Sequence, residues 1–194
     1  LTTGRRVPTF RDEGGFQYAG VERVLVLYPQ PANFASGVTA ASAALSQTSA
    51  MVALVYLNAP ISADRVTYNI VGAAANANNV VRIAIYSEDG QQKVIDVTDA
   101  AGTATGQRTL TFAAAMLWPG HYYVFVCQSS GTGAGPTVSV HSTLNFAIAG
   151  PAAGEPDTSG DLTVVGGAAP ATFDPTAITT PADDRCLLTR LDGS

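Results

Sequence analysis

Val80-Val81-Arg82-Ile83-Ala84-Ile85-Tyr86-Ser87-Glu88-Asp89-Gly90 is the stretch whose pattern settles what kind of fold this chain adopts. Val81, Ile83 and Ile85 alternate with Arg82, Ala84 and Tyr86, the period-2 pattern of a β-strand with one face on a core. Glu88-Asp89-Gly90 closes the strand, because glycine supplies the positive φ of a tight turn, and Ile95 and Val97 flank Asp96 on an antiparallel return. Further on, Leu110 and Phe112 alternate with Thr109, Thr111 and Ala113, and Leu117-Trp118-Pro119-Gly120 breaks the chain before a strand from His121 to Cys127. That strand is apolar on both faces, with Tyr122, Val124 and Val126 on one side and Tyr123, Phe125 and Cys127 on the other, which predicts a central place in a sheet.

Strand signals continue in both directions. Val21 to Tyr28 is a short strand ended by Pro29-Gln30-Pro31. Met51 to Leu57 is apolar on both faces, and Val66, Tyr68 and Ile70 alternate with Arg65, Thr67 and Asn69 in a half-exposed strand. Val138 to Ile148 alternates cleanly and predicts the longest strand. Phe34 to Gln47 lacks any stripe and reads as loop, and Gln128 to Pro136 reads as a flexible Ser/Gly/Thr loop. About eight short strands without a convincing helix predict an all-β, antiparallel β-sandwich.

The organisation divides into three. Residues 1–50 read as an N-terminal arm with one strand, 51–149 as the sandwich body, and 150–194 as a C-terminal arm in which five prolines are spaced through Ala, Gly, Thr and Asp. Leu162 to Val165 is expected to add one strand, and Cys186-Leu187-Leu188 to act as an anchor. Arms of this kind tie neighbouring subunits together, and their apolar and basic side chains are the expected assembly contacts: Arg5, Arg6, Phe10 and Phe16 at the start, Phe173, Leu187 and Leu188 at the end. On this reading the body folds without either arm.

Composition narrows the function. With 46% hydrophobic and 13% charged residues in 194, the surface must be built from Ala, Thr, Ser, Gly, Asn and Gln, which suits contact with neighbours. A net charge of −5, with one lysine, is wrong for neutralising phosphates, so nucleic acid is not an expected partner. No apolar run is long enough for a membrane-spanning helix. The histidines are His121 and His141 alone, there is no GxSxG, and most carboxylates sit in expected turns, so catalysis is not expected. No cofactor or metal is expected either. Calcium is the least disfavoured ion, through Glu88-Asp89-Gly90 or Glu155, Asp157 and Asp161, but ordinary turn chemistry explains these better. Cys127 reads as a small buried hydrophobe, with a bridge to Cys186 as the alternative. Trp118, His121 and Tyr123 stand near one strand end as candidate glycan contacts, although Trp118 before Pro-Gly reads more simply as a lid over the sandwich end.

Three groups of residues resemble a β-sandwich domain of structural proteins from tailed double-stranded DNA bacteriophages, of the tail-fibre, appendage or capsid-surface type. They are Leu57 to Ile70 with Ala59-Pro60-Ile61 and Asp64-Arg65-Val66, then Arg82-Ile83-Ala84-Ile85-Tyr86 ending in Glu88-Asp89-Gly90, and Leu117-Trp118-Pro119-Gly120-His121-Tyr122-Tyr123. The match spans roughly Met51 to Cys127. It implies a jelly-roll-like sandwich and a non-enzymatic virion protein, in the capsid surface or the tail. It also implies a homo-oligomer, a trimer among the candidates, partnered by copies of itself and other virion proteins. As the alternative it implies a module that binds a host glycan or receptor.

Overall fold

The computed structural model describes residues 24–27, 38–57, 59–143, 159–179, 184–187 and 189–193. Their strands, in chain order, are β1 (Val24–Leu27), β2 (Val38–Ala44), β3 (Ser49–Leu57), β4 (Ile61–Gly72), β5 (Val80–Ser87) and β6 (Lys93–Asp99). They continue with β7 (Gly106–Leu117), β8 (Gly120–Ser130), β9 (Thr137–Thr143), β10 (Ser159–Thr163), β11 (Asp184–Leu187) and β12 (Thr189–Gly193). The fold is an all-β sandwich of two antiparallel sheets. A five-stranded sheet runs β10-β3-β8-β5-β6, and a seven-stranded sheet joins β2, β9, β4 and β7 with β1, β11 and β12. The strand pairs nest: β2 lies against β9, β3 against β8, β4 against β7 and β5 against β6. Strand β8 occupies the centre of its sheet, where its two apolar faces require it to be.

Alternation explains the core between the sheets. Val81, Ile83 and Ile85 of β5 and Val124 and Val126 of β8 point inward to Val66, Tyr68 and Ile70 of β4 and to Val138 and Val140 of β9. At one end of this layer a partly buried polar tie links the sheets. Arg108 of β7 donates two hydrogen bonds to Asp99 of β6, at 2.8 and 2.7 Å, and the Tyr68 hydroxyl donates to the same carboxylate at 2.7 Å.

The opposite face of β5 was expected to meet solvent. Instead Ala84 and Tyr86 are buried, because a second core covers the outer face of the five-stranded sheet. Its cover is the stretch from Ser159 to Thr179, expected to belong to an outward-reaching arm. Strand β10 adds to β3 from Ser159↔Ala53 to Thr163↔Ser49. Leu162, Val164, Phe173 and Ile178 then pack on Val52, Tyr86, Tyr123 and Phe125. The Phe173 ring meets Tyr86 and Tyr123 edge-on, with centroids 5.1 and 5.3 Å away. Side chains of the sheet hold the irregular backbone above them by donating to its carbonyls: Tyr86 to Pro170 at 2.7 Å, Lys93 to Ala169 at 3.2 Å, Arg82 to Gly167 at 3.4 Å. Asp96 lies 2.7 Å from Lys93 and 3.2 Å from Arg82 and fixes both donors. Gly90, at φ 69°, accepts from the Phe173 amide at 3.0 Å, and a Cβ there would strike the Phe173 carbonyl.

Two further local expectations change, and the reading of Cys127 as a buried hydrophobe holds. Part of Phe34 to Gln47 is strand β2, paired with β9 from Val38↔Thr143 to Ala44↔Thr137, since small residues without a stripe still form a ladder when a partner edge is offered. The stretch from Gln128 to Pro136 is strand as far as Ser130, and the turn beyond is clasped by amides. Gln47 Nε2 donates to Gly131 O at 2.6 Å and Asn79 Nδ2 to Ala134 O at 3.3 Å, while Gln128 Nε2 donates to Asn79 Oδ1 at 2.6 Å. Cys127 is a free, buried thiol donating to Gly167 O at 3.3 Å, and burial pushes its pKa up to about 12.

Candidate contact surface

The turn between β7 and β8 is built by its own residues. The Tyr122 hydroxyl lies 3.1 Å from both the Trp118 amide and the Trp118 carbonyl, accepting from one and donating to the other. This fixes Leu117-Trp118-Pro119-Gly120 with Trp118 49% exposed. His121 follows on the outer face of β8, opposite Tyr56 of β3, with ring centroids 5.1 Å apart at 50°. His121 Nδ1 is 3.5 Å from Glu88 Oε1, at the end of β5. Tyr56, Trp118 and, near the end of β7, Met116 are among the exposed large apolar side chains. The aromatic face that the C-terminal stretch covers at Tyr123 therefore continues uncovered at Tyr56 and His121.

Tyr123, expected beside Trp118 and His121, is 1% exposed beneath Phe173 and cannot reach a ligand. Tyr56 was missed, since Met51 to Leu57 reads as an interior strand. Its position opposite His121 depends on the β3–β8 register, which period-2 counting alone does not give.

The expected assembly contacts separate. Phe173 is buried in its own chain. Leu187 lies in β11 with its backbone opposite Val140. Arg5, Arg6, Phe10, Phe16 and Leu188 lie outside the described residues, as do Glu155 and Asp157.

Carboxylates of the body have local partners. Asp89 sits in the β5–β6 turn and accepts from the Ser87 hydroxyl and the Gln91 amide, which hold its pKa below the usual range. Asp174 caps the turn at Pro175–Ala177, where the Thr176 amide and hydroxyl lower its pKa in the same way. Asp99 titrates lower than usual mainly because Arg108 hydrogen-bonds it, with Tyr68 adding to the effect and burial opposing it. These are turn, cap and tie roles. Among the described residues no three His, Cys, Asp or Glu side chains gather into a metal-sized group.

A second surface lies along the side where β6 and β7 are the outermost strands. Val94 and Val97 of β6 and Leu110 and Phe112 of β7 are only partly buried there, leaving an apolar seam between the sheets. Compared with known proteins, the chain matches no family model and no curated sequence.

Proposed function

We propose that this protein is a non-enzymatic structural component of a tailed-bacteriophage particle, in the capsid surface or the tail, which works as a rigid block held among copies of itself. The observation that carries the reading is the nested pairing of β2 with β9, β3 with β8, β4 with β7 and β5 with β6. We infer that this is a jelly roll, an arrangement recurrent in viral capsid and lectin domains. The fold alone does not assign a function. The low-charge surface and the stretches around Arg82 to Gly90 and Leu117 to Tyr123 lend the assembly reading its support. Residues 159–179 belong to the block, so assembly contacts are to be sought on its exposed strands and in the residues before Val24. The test is the solution mass of the full chain beside electron microscopy of concentrated samples. Discrete multi-copy particles support the proposal, and a monodisperse monomer throughout counts against it.

A second reading rests on one specific observation, the half-exposed Trp118 three residues before His121, whose ring lies near that of Tyr56 and 3.5 Å from Glu88. Aromatic faces next to hydrogen-bonding groups suit a saccharide ring, and glycan-array binding lost in both W118A and Y56A would move this reading to first place.

A further inference from the structure

Natural sheets protect their outer strands, since an unpaired row of N–H and C=O groups is a template for another chain. The five-stranded sheet does so on both sides. Strand β6 carries Lys93 and Asp96, and β10 is bridged on its outer side by Thr179, whose backbone exchanges hydrogen bonds of 2.8 and 2.9 Å with Asp161. Strand β7 is different. Among the described residues its ladder runs to β4 alone, unbroken from Ile70↔Gly106 to Arg65↔Thr111. Beyond it the register shifts, and Phe112 to Ala114 bulge opposite Asp64. The straight stretch is six residues, roughly 20 Å of strand. Its exposed row is Gln107, Thr109 and Thr111, uncharged and without proline. The one charge in the stretch, Arg108, faces the other way and is taken up by Asp99.

We propose that Gln107–Thr111 of β7 pairs antiparallel with the same segment of a second copy. The two seven-stranded sheets then join into one, and the seam of Val97, Leu110 and Phe112 is brought against its counterpart. The occupant is a second copy because the row is self-complementary: about a two-fold axis at Thr109, Gln107 faces Thr111, Thr109 faces itself, and no like charges meet. This inference rests on the assembly reading above and names its partner.

The test is sedimentation of the full chain beside two variants, Q107K/T109K/T111K and Q107E/T109E/T111E. Lysines along this row repel in any register. The native chain is expected to sediment as a dimer or a larger even-numbered assembly. Each variant is expected to show half the native dimer mass with an unchanged circular dichroism spectrum, and an equal mixture of the two to recover the native mass as a heterodimer. If a triple variant loses its fold, T109K alone is scored by the same halving. A lysine variant that keeps the native mass overturns the β7 pairing and leaves the assembly reading standing. A native chain that is monomeric at every concentration overturns both.

Discussion

The two cores of this protein are made in different ways. The one between the sheets is specified by alternation, with each strand presenting every second side chain, so that Ile83, Val124, Tyr68 and Val138 meet without any exceptional residue. The one outside the five-stranded sheet has no pattern behind its cover. Leu162, Val164, Phe173 and Ile178 are scattered through a Pro/Gly-rich stretch that makes its ladder in β10 and then relies on side chains donating to its carbonyls. A regular core distributes stability over many exchangeable residues. An irregular one concentrates it in a plug and its clamps, which makes the predicted consequences of single changes unequal.

Removing residues 159–194 is expected to have the largest effect, because it takes away β10, the Phe173 plug and Leu191, which is fully buried between the sheets. We expect no cooperative thermal transition from the truncated chain. A folded truncated body would mean that the outer core is an accessory. Phe173→Ala is next: loss of a buried ring between two tyrosines is expected to cost about 3 kcal/mol in urea melts. F173L should cost less than half of that, since a leucine still fills much of the space.

Arg108→Ala tests the tie between the sheets. Asp99 is buried and Arg108 about a third exposed, so the loss is expected near 2 kcal/mol, below that of a fully buried pair. Its pH dependence has a definite sign. The folded carboxylate is held below the usual pKa of ~4, so its contribution is complete above that value and is lost as the pH falls through the lowered one. Acid destabilisation between neutral pH and ~3 should therefore be smaller in Arg108→Ala than in the native protein. The smallest effect is kinetic. In a C186S background Cys127, with its pKa raised to about 12, should resist thiol reagents at pH 8 until the protein is unfolded.

What the sequence revealed and hid follows the same division. β5, β6 and β8 are legible because their side chains alternate and Asp89-Gly90 marks a turn. β2 is not, because its Ala, Ser and Thr carry no stripe and only the β9 edge makes it a strand. The outer core is invisible for a related reason: Phe173 finds Tyr86 and Tyr123 across more than 45 residues of chain, and no local period records such a contact. At the contact surface, the turn chemistry pointed to Trp118 and His121. Tyr56 and the burial of Tyr123 depended instead on register and on the cover.

The central claim is that this block is made to be joined to copies of itself. Light scattering of the full chain over a wide concentration range tests it most directly. The account predicts a mass of two copies or more, persisting on dilution into the micromolar range. A single-copy mass at every concentration would contradict it.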